Sequence, residues 1–280
     1  MEPIERSATV DAIRMRWLEC GEGPTVVLVH GIPTSPTLWR HVLPLVDGAR
    51  LLAWEMVGYG QSWDAPPDVD ISVKAQAGHL DRWLDELGIE RAVLVGHDLG
   101  GGVCQIAAVS RPDRCAGLVL TNSIGYDSWP IPMVRALQRV RGGTARLPAA
   151  VMKPLFAGFL YPGHDDRARA RESVRAHWPG YAHARGPAAF ARQVRSLRTE
   201  DTLAVADRLP RLDVAAAVVW GAADQFQKVE YGRRLAADLD ASITEIAGGK
   251  HFVPEDHPRE VADAIRAVNR RGGLRVRAYR

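Results

Sequence analysis

Val95-Gly96-His97-Asp98-Leu99-Gly100-Gly101 sets one carboxylate between a strand-like run and a helix-like run. Arg91-Ala92-Val93-Leu94-Val95 leads in, and residues 100–109 continue with the pattern of a buried helix. Gly96, Gly100 and Gly101 stand at i−2, i+2 and i+3 from Asp98. That spacing predicts a sharp strand-to-helix turn, where small residues let the chain pass close and one side chain is lifted above a sheet. Serine is the usual occupant of such a turn. A carboxylate there predicts a covalent alkyl ester in place of an acyl-enzyme, and so a different class of substrate.

Working outward, short apolar runs recur at 26–29, 51–54, 117–120 and 215–220, as expected of strands covered on both faces. Amphipathic stretches at 73–87, 229–239 and 258–268 alternate with them. This β/α rhythm predicts a mostly parallel sheet with helices on both faces. Residues 8–19 alternate more loosely and suit an antiparallel edge ribbon. The rhythm breaks at 124–198, a stretch rich in Arg, Ala, Pro and aromatics with few strand signals. A structureless connection of that length is improbable in a compact domain, so a helical lid is expected there. The expected organisation is a core from 1–123 and 199–280, interrupted by the lid at 124–198.

Composition narrows the function classes. The 280 residues are 46% hydrophobic and 25% charged, ordinary for a globular protein able to bury a sizeable core. No uninterrupted apolar run of about 18 residues exists, so no membrane span is expected. Residues 1–10 lack the apolar region of a secretory signal. Cys20, Cys104 and Cys115 are an odd set, which suits reduced thiols in a cytoplasmic protein. The net charge is only +3 and the arginines are scattered, so no nucleic-acid partner is expected. The basic end at 270–280 is expected to be a solvated terminus. The expected partners are a small hydrophobic substrate and water, with neither metal nor cofactor, in a monomer or homodimer.

Three ordered signals make the chain resemble the α/β-hydrolase superfamily, specifically its aspartate-nucleophile branch of epoxide hydrolases and haloalkane dehalogenases. His30-Gly31-Ile32-Pro33 follows the run at 26–29 and is similar to the family's HGxP loop. Gly96-His97-Asp98-Leu99-Gly100-Gly101 is the turn described above. His251, in Gly248-Gly249-Lys250-His251-Phe252, lies late in the chain, where the family carries its base. The resemblance implies the α/β-hydrolase fold: a mostly parallel eight-stranded sheet with a helical lid after the sixth strand. It implies Asp98 as nucleophile, His251 as base and Asp224, after the run at 215–220, as the acid that orients it. The loop one strand earlier offers Asn122, which cannot carry charge. The backbone N–H groups of Ile32 and Leu99 are the expected oxyanion donors. Taken singly, each residue has a plainer reading: Asp98 as a helix cap, His251 as a structural histidine, Asp224 as a solvated loop residue. Their order on one α/β frame favours the catalytic reading.

The two activities of the branch differ in what stabilises the leaving group. The dehalogenases clamp halide with an indole after the nucleophile and a second donor after the HG pair. Here those positions hold Leu99 and Ile32, whose side chains have no hydrogen to donate. The epoxide hydrolases use phenols of the lid, for which Tyr126, Tyr161 and Tyr181 are the candidates. Ala191 stands where the second phenol of the family is expected, which leaves His177 and His183 as other donors. His30, Pro33, Trp39 and Trp63 are expected around the pocket, with core packing the equal alternative for the indoles. Opening of a small hydrophobic epoxide to a vicinal diol is the expected reaction. Haloalkane dehalogenation by the same ester is the runner-up, and a non-hydrolytic protein that binds or cyclises a ligand is the third reading.

Overall fold

In the computed structural model of the chain, which describes residues 2–140, 145 and 147–278, eight strands form one sheet. β1 (Ile4–Val10) and β2 (Ile13–Cys20) make an antiparallel hairpin across Asp11 and Ala12, both at positive φ. β3 (Thr25–Val29), β4 (Arg50–Trp54), β5 (Ala92–His97), β6 (Cys115–Thr121), β7 (Ala215–Gly221) and β8 (Ser242–Ile246) follow. The spatial order is β1-β2-β4-β3-β5-β6-β7-β8, parallel from β4 onward and antiparallel on the β1–β2–β4 side.

Burial explains why the central strands are continuous in sequence. Every residue of β5 and β7 is buried, so neither face tolerates a polar alternation. β8, Ser-Ile-Thr-Glu-Ile at the sheet edge, has no buried residue and lacks the apolar run of its neighbours.

Two helices sit beside the turn at Asp98: α1 (Val73–Glu86), capped by the Ser72 hydroxyl on the Ala75 N–H at 3.2 Å, and α2 (Leu99–Ser110). They pack against each other, and α2 lies on β5 and β6. Between β6 and β7 the described residues include α3 (Pro132–Arg139), α4 (Ala149–Leu160), α5 (Arg167–His177), α6 (Gly186–Arg195) and the short α7 (Glu200–Leu203). Asp166 caps α5 by accepting from the N–H groups of Ala168 and Arg169 at 2.7 and 2.9 Å. α8 (Val229–Asp238), α9 (Val253–Asp256) and α10 (Pro258–Ala278) complete the chain, with α10 across β6 and β7.

The three cysteines are buried and free. Among the described residues no helix is long and apolar enough to cross a membrane. The loops that leave the carboxyl ends of β3, β5, β6, β7 and β8 carry Ile32, Asp98, Asn122, Asp224 and His251 respectively. In open parallel sheets this is the edge where sites are built.

Candidate active site

Asp98 occupies φ +50° and ψ −119°, a backbone conformation that a residue with a Cβ adopts at a cost of about 1–3 kcal/mol. Its surroundings hold it there. The Asp98 carbonyl accepts from the N–H groups of Gly101 and Ile124 at 3.0 and 3.1 Å. A Cβ at Gly96 would strike the backbone of Gly100 and Gly101, and one at Gly100 would strike the Val29 carbonyl. The small residues read from the sequence are therefore required by close backbone approach. The turn aims the carboxylate at the loop after β3, where the Ile32 N–H donates to Asp98 Oδ2 at 3.0 Å. The Leu99 N–H also stabilises the charged carboxylate. Both main-chain donors expected from the sequence thus converge on this group.

His251 meets Asp224 at 2.8 Å, Nδ1 to Oδ2. An ionised carboxylate only accepts, so the proton lies on Nδ1 and Nε2 is left as the basic nitrogen. Asp224 is itself fixed from two sides. Asn122 Nδ2 donates to its Oδ2 at 2.6 Å, and the Phe226 N–H donates to its Oδ1 at 2.7 Å. Asn122, weighed in sequence only as a place where an acid is missing, is a buried ligand of the acid that is present. Its own carbonyl accepts from the Gly221 N–H at 3.1 Å, which ties β6 to β7. The His251 loop is held by two further groups. His97 Nε2 donates to the His251 carbonyl at 3.0 Å. The N–H groups of His251 and Phe252 both donate to the Gly163 carbonyl, at 2.9 and 3.0 Å. Gly163 belongs to the helical segment between β6 and β7, so that segment helps to place the imidazole.

Burial dominates the electrostatics. It pushes the Asp98 carboxyl up to about 6, against the His251 charge and the two N–H donors that favour ionisation. The unperturbed value of about 3.9 that sequence suggests leaves a wider margin than the buried site keeps. For His251, burial opposes the charged ring, but Asp224, by charge and hydrogen bond, and Asp98 outweigh it and raise the pKa. His97 is driven well below the usual histidine range by burial and by His251, so it stays neutral.

Asp98 and His251 face one cavity of about 50 Å³, walled by apolar side chains that include Ile32, Ile124, Ile131, Phe159, Leu197 and Phe252. This is far below the ~300–1,000 Å³ of sites for drug-sized ligands, so the chamber suits a small molecule. A larger depression of about 270 Å³, between the β1–β2 hairpin and residues 176–180, contains none of Asp98, Asp224 and His251.

Several expected pocket residues lie elsewhere. The Tyr181 hydroxyl donates to Gln193 Oε1 at 2.8 Å, away from the cavity and packed against Phe156 and Phe190. The Tyr126 hydroxyl donates to Asp238 of α8 at 2.6 Å, with the Arg234 guanidinium 3.7 Å from its ring centre. Tyr161 is 38% exposed in an outer depression beside Lys153 and Trp178. None of the three phenols expected as ring-opening acids lines the cavity that Asp98 faces. The other donors also turn away: His177 pairs with Glu255 at 3.0 Å, and His183 stacks on Trp63 at 4.2 Å. Of the expected pocket residues, Pro33 lines the cavity, whereas His30, Trp39 and Trp63 do not. His30 joins loops instead, accepting from the Met56 N–H at 3.1 Å and donating through Nδ1 to the Gly31 carbonyl at 2.9 Å. Burial holds its pKa down at about 3, so it is neutral.

One lining side chain went unnoticed in the sequence. Gln227, three residues after Asp224, is 2% exposed and borders the chamber. A polar residue following Phe226 in the loop of the acid was the available signal.

Comparison with known proteins gives the same picture over most of the chain. Haloalkane dehalogenase 2 of Mycobacterium tuberculosis is 29% identical over 265 residues, covering 90% of each chain. Bifunctional epoxide hydrolase 2 of Sus scrofa is 36% identical over 114 residues, 40% of this chain and 20% of its own length. The crystal structure of an alpha/beta hydrolase fold protein from Burkholderia ambifaria superposes with a TM-score of 0.86 at 27% identity, covering 93% of this chain and 96% of that one. Residues 24–258 match the family model described as alpha/beta hydrolase fold. With that match spanning β3 to β8, the turn at Asp98 and the Asp224–His251 pair, the chain belongs to the alpha/beta hydrolase family.

Proposed function

We propose that this hydrolase cleaves the carbon–halogen bond of a small haloalkane through an ester on Asp98. The observation that carries the reading is a buried carboxylate at the turn, with Oδ2 held by the Ile32 N–H, facing an apolar chamber shared with His251. Asp98 Oδ1 attacks the sp³ carbon; the carbon–oxygen bond forms as the carbon–halogen pair leaves with the halide. Oδ2 then becomes the ester carbonyl, already placed at the Ile32 N–H, with the Leu99 N–H also directed at the carboxylate. His251 takes a proton from water as the water adds to that carbonyl, and Asp224 stabilises the resulting imidazolium. The main-chain donors stabilise the tetrahedral oxyanion, each worth about 3–4 kcal/mol. Collapse breaks the acyl carbon–oxygen bond, and the departing alkoxide takes the proton back from His251. The alcohol, the halide and one proton are the products.

The leaving group decides between the two activities of the branch. An epoxide oxygen leaves as an alkoxide that needs a proton, and no phenol among the described residues lines the chamber. Halide leaves without one. The full-length similarity to a protein named haloalkane dehalogenase supports the same choice. The 36% identity to a bifunctional epoxide hydrolase favours a second reading, in which the same ester forms from an epoxide and water supplies the proton. Incubation with 1-bromobutane and with styrene oxide separates them. Bromide release without diol supports the first reading; diol without bromide supports the second.

The half-reactions should also titrate apart. Attack needs the Asp98 carboxylate, so the single-turnover alkylation rate should rise as pH increases through about 6 and level above it. Ester hydrolysis needs neutral His251, so its rate should also rise with pH, along a limb set by the imidazole with Asp224 behind it and not by Asp98, whose charge the ester removes. Rapid-quench measurement of both steps from pH 5 to 9 checks this (range of about four units, spanning both groups). A flat alkylation profile would contradict the assignment of Asp98.

A further inference from the structure

The chamber has a shortage of donors. Besides Asp98 and His251, only Trp129 and Gln227 among its described lining residues carry a side-chain N–H. Trp129 is already committed, because its indole N–H donates to the Thr202 hydroxyl at 2.7 Å. Gln227 is not. It is 2% exposed, and its Oε1 has no hydrogen-bond partner among the described residues. Buried amides in native proteins are nearly always satisfied, so an exception facing a reaction chamber calls for a ligand. No hydrogen bond among the described residues holds the amide nitrogen, so its N–H is free for a ligand of the chamber that Gln227 lines.

The backbone beneath this amide is fixed. The Gln227 carbonyl accepts from the Trp220 indole at 2.9 Å, and the preceding Phe226 N–H donates to Asp224 Oδ1 at 2.7 Å. The loop is therefore pinned to the same carboxylate that orients the base. The Phe226 ring stands edge-on to His251, with centroids 5.1 Å apart. A donor held this way is placed before substrate arrives, the condition under which a hydrogen bond contributes most to a developing charge.

We propose that Gln227 is the specificity-determining donor of the pocket: its amide N–H binds the atom that leaves carbon as Asp98 attacks. It does the work for which Ile32 and Leu99 have no side-chain hydrogen. No proton moves in this contact; the halide departs with the bond pair and accepts the N–H. The inference rests on the reading of Asp98 as the ester-forming group, and the test keeps the two apart.

The experiment compares His251→Ala with His251→Ala/Gln227→Leu, following alkylation of the protein by 1-chlorobutane, 1-bromobutane and 1-iodobutane with intact-mass spectrometry. Leucine approximates the glutamine volume and has no donor. The double variant should alkylate on the order of 10²-fold more slowly with the chloride, the scale of losing one preorganised donor. The loss should shrink from chloride to bromide to iodide, as the better leaving group needs less help. A structural role would slow all three alike. Equal rates in the two proteins, or equal losses for all three halides, overturn the role of Gln227 and leave Asp98 untouched. No adduct in His251→Ala itself overturns the ester reading, and this inference with it. Thermal melting of Gln227→Leu monitors folding, and Gln227→Asn, which retains the amide, should recover part of the halide dependence if the variant with leucine proves unstable.

Discussion

Asp98→Ala should abolish turnover, with kcat falling about 10⁴–10⁶-fold, the range seen when a nucleophile is removed from an enzyme that depends on it. The loss should be large because nothing else described in the chamber can take its place: the other lining side chains are apolar, amide or aromatic, apart from His251. Folding should survive. The carboxylate is buried and pushed up to about 6, so its removal relieves desolvation while giving up its hydrogen bonds to main-chain N–H groups. Asp98→Asn retains an oxygen for the Ile32 N–H and serves as the folding control. Halide release with 1-bromobutane and thermal melting of each variant are the measurements. A residual rate above about a hundredth of the parent, in a protein that melts normally, is incompatible with an obligatory ester. The same ester requires oxygen from labelled water to enter Asp98 during repeated turnover, because hydrolysis returns a solvent oxygen to the carboxylate. Retained ligand affinity with no turnover by the parent protein would instead favour the binding role.

His251→Ala should separate the two half-reactions. Alkylation of Asp98 needs no base, so one equivalent of halide should be released rapidly, after which the reaction should stall. Hydrolysis loses its general base and steady-state turnover should fall on the order of 10³–10⁴-fold, in line with the contribution of a positioned base and the charge behind it. The protein should gain the mass of the alkyl group, and peptide mapping should place it on the fragment containing Asp98. The cause is local: His251 lines the chamber, whereas Asp224 and Asn122 act through it, by the 2.8 and 2.6 Å bonds that set the ring. Loss of the burst together with loss of turnover would mean that the imidazole is needed for attack, and the two-step scheme would fail.

Much of the frame was legible without coordinates because its causes are local. Gly96, Gly100 and Gly101 mark the turn two or three positions from Asp98, where a Cβ would strike the Gly100–Gly101 backbone, the Val29 carbonyl and the Ser123 side chain respectively. The runs that became β3, β5 and β7 are apolar throughout because both faces are covered. β8 escaped notice for the converse reason: at the sheet edge none of its residues is fully buried, so it lacks a continuous apolar run. The order of Asp98, Asp224 and His251 was likewise readable, and the structure brings Asp224 and His251 together at 2.8 Å.

Side-chain direction was not readable. Tyr126 and Tyr181 have the right chemistry and stand in the right stretch, but Asp238 and Gln193 claim their hydroxyls. Asp238 is contributed by α8, more than a hundred residues along the chain from Tyr126. Asn122 and Gln227 gain meaning only beside Asp224 and the chamber, and the Asp98 pKa depends on how completely the assembled walls exclude water. Sequence alone determined the buried strands, the sharp turn and the three ordered residues, since steric fit and covering of both sheet faces leave local marks. Which donors meet the leaving group was decided by tertiary structure, because a hydrogen bond depends on angstrom-scale placement of groups that the chain brings together from distant positions.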